Sequence, residues 1–219
     1  MTSLNAHRIF KKMIQRSCCC LQGVRMKKHS LPIALVLIVT GVGPAAADWN
    51  LQNDQSQLSF ISIKKGDIAE VHRFDQLEGT FDDKGNVELV IQLASVDTAI
   101  PIRDQRMREM LFNTNAFPTA ALTATVDADQ ISKLKAGEMV ASKLQGELSL
   151  HGQSSPVTAE LMVARLGDDT LLVTSQKPVV VQAGDFDLVE GVEKLREVAG
   201  LTSISNAVPV SFVLTFKQD

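Results

Sequence analysis

Eight runs of strand length, most of them alternating apolar and polar residues and separated by short turns, limit the folds open to this chain more than any other feature. They cover residues 57–64, 69–81, 86–94, 119–126, 141–150, 156–166, 171–182 and 208–217. In the third run Val87, Leu89, Ile91 and Leu93 share one parity, so that face is predicted to point inward while Glu88 and Gln92 point out. Asp82-Asp83-Lys84-Gly85 and Gly167-Asp168-Asp169 read as hairpin turns, and His151-Gly152-Gln153-Ser154-Ser155 joins another pair of runs. Strands connected in this way predict an all-β protein with short helices, either an antiparallel barrel or a sandwich. Closure into a barrel hides the edge strands.

Two segments depart from the strand pattern. Between the third and fourth runs, Thr98 reads as an N-cap and Pro101 fits the first turn of a helix. Ile102, Met107, Met110 and Leu111 fall on one face of it, with Arg103, Asp104, Arg106 and Arg108 elsewhere. Asn113-Thr114-Asn115 ends the helix, and Phe117-Pro118 forces the backbone to extend into the next strand. The result is a helical plug between two strands. A second, amphipathic helix is predicted over Leu188–Leu201, with Leu188, Val192, Leu195 and Val198 at helical spacing and Gly200 as a stop. Asp127–Met139 reads as a polar, irregular excursion.

The first 47 residues do not belong to this pattern. Met26-Lys27-Lys28, the apolar run Leu31–Val42 and Ala45-Ala46-Ala47 have the order of a secretory signal peptide; the apolar run is shorter than the ~20 residues that span a bilayer. Residues 1–47 are therefore expected to be a signal peptide cleaved after Ala47. Residues 1–25 are either an extension of its basic end or the product of an upstream start, Met26 being the alternative. The leader holds 7 of the 22 Lys and Arg and none of the 25 Asp and Glu, leaving 15 against 25, a formal −10 for residues 48–219. So acidic a domain suits neither nucleic acid nor anionic headgroups. Cys18, Cys19 and Cys20 all lie in the leader, so the single domain that follows is expected to fold on its own core, without disulfides.

No catalytic or metal-binding constellation is legible. After residue 47 the histidines are His72 and His151, neither in ligand spacing, and there is no HExxH, GxSxG or cysteine. His151 reads as a turn residue and His72 as a residue of the surface or barrel rim. Asp97, Arg103, Asp104 and Arg108 have two readings. Either acid and guanidinium pair across the strand end and helix and fix the plug at the barrel mouth, or the arginines hold a ligand headgroup. The strongest signal is apolar. Phe60, Phe74, Phe81, Phe112, Phe117, Phe212 and Phe216 join many Val, Ile and Leu residues in the strands. An eight-stranded barrel either fills with such side chains or holds one ligand among them.

Ser95-Val96-Asp97-Thr98, Arg103-Asp104, Met107-Arg108, Leu111-Phe112 and Phe117-Pro118, in that order, resemble the signature of the YceI-like family of lipocalin-like secreted proteins. Phe74-x-x-Leu77-x-Gly79 resembles its upstream F-x-x-F-x-G. Gly146–Val157 resembles its G-x-L-T hairpin, and Asp185-Phe186 its late D-F. The likeness extends over nearly all of Trp49–Asp219. It implies a lipocalin-like, antiparallel eight-stranded β-barrel with a long apolar cavity. The corresponding function is that of a periplasmic, non-catalytic protein that carries or sequesters an isoprenoid, quinone or other fatty amphiphile. On this resemblance Phe60, Phe74, Ile91 and Leu111 belong to the binding wall, with Phe112 and Phe117 near the mouth. No cofactor is implied beyond such a bound lipid. The alternative is an accessory module for a membrane or redox partner, with the lipid only structural. The chain departs from the pattern where His72 replaces a Gly, where no acid precedes Leu111-Phe112, where Phe117 replaces a Tyr, and in the helix-like addition Val189–Leu201.

Overall fold

Apolar residues at every second position are all buried only if the strands curl around a common axis. The structure, a computed structural model, describes residues 49–218; the expected signal peptide, its cleavage site and the three cysteines lie outside the described residues. The strand segments are β1 (Trp49–Leu51), β2 (Gln57–Lys64), β3 (Ile68–Phe74), β4 (Leu77–Phe81), β5 (Asn86–Gln92) and β6 (Val96–Asp97). They continue with β7 (Thr119–Thr125), β8 (Met139–Leu150), β9 (Gln153–Arg165), β10 (Thr170–Ser175), β11 (Val179–Gln182) and β12 (Ala207–Gln218). All pair antiparallel, in the order β1–β4–β5–β7–β8–β9–β10–β12, and β12 returns to β1 through Trp49↔Gln218 and Leu51↔Phe216. The ring is a closed eight-stranded barrel, which decides between barrel and sandwich. The remaining segments lengthen four of its staves: β2 and β11 extend the pairing of β12, and β3 joins β2 to β6.

The runs read as single strands over 69–81 and 171–182 are each broken, the first at Asp75-Gln76 and the second at residues 176–178. A broken ladder orphans backbone N–H groups, and small polar side chains take them up. Asn53 Oδ1 accepts from the Leu77 N–H at 2.7 Å, and Asn53 Nδ2 donates to the Asp75 carbonyl at 3.0 Å. Ser95 Oγ accepts from the Gln76 N–H at 3.0 Å and donates to the Gln92 carbonyl at 2.6 Å. Ser56 Oγ serves the Thr215 N–H at 3.0 Å, and Ser175 Oγ the Phe212 N–H at 3.2 Å. These side chains keep the named backbone groups hydrogen-bonded where the ladders are interrupted.

Helices close the two ends. At the upper end lie α1 (Pro101–Arg106), which runs on into a π turn over Met107–Leu111, and α3 (Val189–Val198). Ile100, not Thr98, occupies the N-cap of α1, and no side chain caps it. α3 is shorter than the predicted Leu188–Leu201; past its end Gly200 takes a φ of +62° and the Leu201 N–H bonds the Arg196 carbonyl at 3.0 Å. At the lower end α2 (Ala128–Ser132) replaces the expected irregular excursion, with Asp127 Oδ1 accepting from the Gln130 N–H at 3.1 Å. Among the described residues no helix is long and apolar enough to cross a membrane.

Candidate functional site

The inward parity of the staves encloses an apolar cavity of about 190 Å³ in the upper half of the barrel. Every residue that lines it is apolar. Its wall includes Leu58 and Phe60 of β2, Phe74 of β3, Leu89 and Ile91 of β5, and Leu148 and Leu150 of β8. The helical end adds Met107 and Leu111 from the π turn with Phe112 just after it, and Val192 from α3 with Leu188 just before it, so two elements form the lid. They meet at Gly191: a Cβ there would stand 2.9 Å from the Met110 carbonyl oxygen and 3.0 Å from the Leu111 Cα. Only a residue without a side chain allows that approach. A second apolar space of about 60 Å³ lies in the lower half, bounded by Phe81, Val87, Val126 and Ile131 among others.

Five of the six apolar residues singled out from the sequence, Phe60, Phe74, Ile91, Leu111 and Phe112, line the upper cavity. Three of them form a row of rings: Phe60 and Phe74 have centroids 5.3 Å apart, and Phe74 and Phe112 5.9 Å. Phe117, expected near the mouth, does not line the cavity itself. Its ring packs on His151 at 4.5 Å and over Gly152, in the β8–β9 turn. Pro118 explains this placement, because it holds the chain extended and its carbonyl accepts from the Leu93 N–H at 2.9 Å, which fixes Phe117 beside that turn. The turn consists of His151 and Gly152, both with positive φ (53° and 78°), the pairing that a tight two-residue hairpin requires. Sequence reading did not single out Leu148, Leu150, Val157, Val179 or Val208 as wall residues, although their parity in the strands marks them.

The charged residues around the plug have partners other than those expected. Arg103 pairs with neither Asp97 nor Asp104: its Nη1 donates to Glu70 Oε2 at 2.7 Å and its Nη2 to the Thr98 carbonyl at 2.6 Å. Asp97 pairs with Arg73 across β3 and β6, and its Oδ1 accepts from the Ala99 N–H at 2.8 Å. Asp104 Oδ1 accepts from both the N–H and the hydroxyl of the buried Thr98, at 2.9 and 2.5 Å. Arg108 donates to the Ala94 carbonyl, at 3.2 Å. Together these bonds build the corner at which β6 turns through Ala99 (φ 59°) into α1. Glu70, which sequence reading missed, also takes Lys64 Nζ at 2.8 Å. The Lys64 ammonium first, and then the Arg103 guanidinium, hold its carboxyl below the ordinary range.

His72, expected at the surface or barrel rim, is not at the surface. It is 5% exposed, lies on the inward parity with Glu70 and Phe74, and packs edge-on against Phe60 at 5.3 Å. A strand of β-barrel places alternate residues inside, and His72 shares the parity of Phe74 rather than that of the exposed Arg73. Burial first, and then the nearby Arg103 charge, lower its imidazole pKa from the ordinary histidine value. Among the described residues no cluster of three or more His, Cys, Asp or Glu could hold a metal ion. What the cavity offers chemically is an uncharged space walled by aliphatic and aromatic side chains, suited to a hydrocarbon chain.

A closed antiparallel barrel of eight strands, lidded by short helices around an apolar slot, is a lipocalin-like fold. The chain belongs to the YceI-like domain family, whose model matches residues 49–216. It is 30% identical to Protein YceI of Shigella flexneri over 158 residues, 66% of this chain and 76% of that protein. To a UPF0312 protein of Shewanella denitrificans it is 31% identical over 154 residues, 66% of this chain and 77% of that one. Among solved structures it is similar to a polyisoprenoid binding domain from Saccharophagus degradans, at 38% identity and a TM-score of 0.77, covering 80% of this chain and 100% of that domain. Burkholderia cenocepacia BcnA shares the fold at 16% identity and a TM-score of 0.58, over 75% of this chain and 98% of that one.

Proposed function

We propose that this protein is a non-catalytic carrier that holds an isoprenoid, quinone or other lipid-like amphiphile by its chain inside the barrel. The observation that carries the reading is the wall of the upper cavity, where every lining residue is apolar. Apolar surface withdrawn from water contributes about 25 cal/mol per Å², and nothing in that wall can bond a polar ligand. The similarity to a polyisoprenoid binding domain at 38% identity supports the same class of ligand. Export to the periplasm, with cleavage after Ala47, is part of the proposal and rests on the signal-like leader. The test is native mass spectrometry of protein recovered from the periplasm of its own cells, followed by organic extraction. A co-purifying isoprenoid or quinone is the expected result. Protein that is empty in every preparation, yet captures a membrane or redox partner, would favour the accessory-module reading instead.

A further inference from the structure

Leu89, Leu122, Leu144 and Phe212 line the upper cavity and also the lower space. The two volumes therefore adjoin across one layer of four side chains. Along β12 the inward residues are Val208, Val210, Phe212, Leu214 and Phe216. The first two border only the upper cavity, and the last two only the lower space. At a rise of ~3.3 Å per residue Phe212 stands ~13 Å along the strand from either end of this series, midway down the barrel. Leu89 and Leu122 face each other directly across β5 and β7.

We propose that these four side chains form a septum that sets the longest apolar chain the barrel accepts, with Phe212 as the deciding residue. The inference rests on the carrier reading above. Phe212 is the only aromatic member of the layer. Its backbone is pinned where β12 exchanges β10 for β11 as its neighbour: Thr174 Oγ1 donates to its carbonyl at 3.1 Å and Ser175 Oγ accepts from its N–H at 3.2 Å. The residue itself borders both the upper cavity and the lower space. A chain entering from the helical end fills the 190 Å³ above and is stopped by the layer. The 60 Å³ beneath has room for ~2 further groups of water or methylene size, at ~30 Å³ each, once the layer opens.

Straight-chain fatty alcohols, lengthened two carbons at a time, test this by calorimetry on the purified protein. Each added methylene should tighten binding about fourfold until the upper cavity is full, after which affinity levels off. Phe212→Ala should move that plateau to chains at least ~2 carbons longer, the capacity of the lower space plus the vacated ring. Leu144→Ala, a smaller opening in the same layer, should move it in the same direction and guards against a Phe212 variant that fails to fold. Val173→Phe fills the lower space from its own wall, and added to Phe212→Ala it should pull the plateau back. A plateau unmoved in both alanine variants overturns the septum and leaves the carrier reading standing. Affinity that never rises with chain length in the unaltered protein overturns both.

Discussion

The corner between β6 and α1 shows how a short motif can look like a binding site and act as a joint. Ser95, Asp97, Thr98, Arg103 and Asp104 all bond neighbouring backbone, one another or a charge from β3. The spacing marked these residues as important, but it could not say which charges meet. Arg103 finds Glu70, 33 positions away, because β3 runs beside β6 in the closed sheet. The two arginines should consequently differ. Arg103→Ala leaves Glu70 with Lys64 alone and the Thr98 carbonyl without its donor, in a half-buried setting, and should cost about 2 kcal/mol. Arg108→Ala loses one exposed bond and should cost under about 1 kcal/mol. Thermal or urea unfolding of the two variants measures this; equal small losses would mean that the corner does not depend on the Arg103 charge.

The lid is decided by how α3 meets the π turn. Leu188 and Val192 reach the cavity only because Gly191 lets the helix lie against Met110 and Leu111. Two effects compete when Gly191 becomes Ala. Helix propensity favours Ala by about 1 kcal/mol, while a Cβ placed 2.9 Å from a carbonyl oxygen forces the helices apart, and overpacking of this kind costs about 1–3 kcal/mol. The backbone of the π turn cannot step aside as a flexible side chain could, so the steric effect should win. Gly191→Ala should lower the melting temperature, and it should admit a cavity-binding fluorescent fatty acid faster than the unaltered protein does. Higher stability with unchanged exchange would show that the helices are not pressed together. The apolar spacing of α3 is readable in the sequence, as is its stop at Gly200. Its partner is not, because the plug lies some 80 positions earlier in the chain.

At the scale of the whole barrel, a ligand that binds only the folded state must stabilise it. At 100 times its Kd a bound chain adds about 2.7 kcal/mol, or a rise of ~5–10 °C in Tm for a domain of this size. Protein stripped of lipid by organic extraction and refolded should melt lower by that amount and recover when farnesol is added; a Tm indifferent to loading would oppose the carrier reading. The sequence by itself determined the strands, their inward parity and the presence of a plug, because alternation and turn chemistry are local properties of the chain. Thus Leu89 and Ile91 face inward as their parity requires, and the Asp82–Gly85 hairpin forms through Asp82 Oδ1 accepting from the Lys84 and Asn86 N–H groups at 2.9 and 2.8 Å. What only the tertiary structure decided is everything that depends on closure. The meeting of β1 with β12 made a barrel of what could have been a sandwich, and it set Glu70 under Arg103. It turned His72 inward and left Phe117 on the hairpin outside the cavity wall. The physical reason is that these contacts join residues far apart in sequence, and the register of strands wrapped around a common axis is fixed only when the last strand pairs with the first.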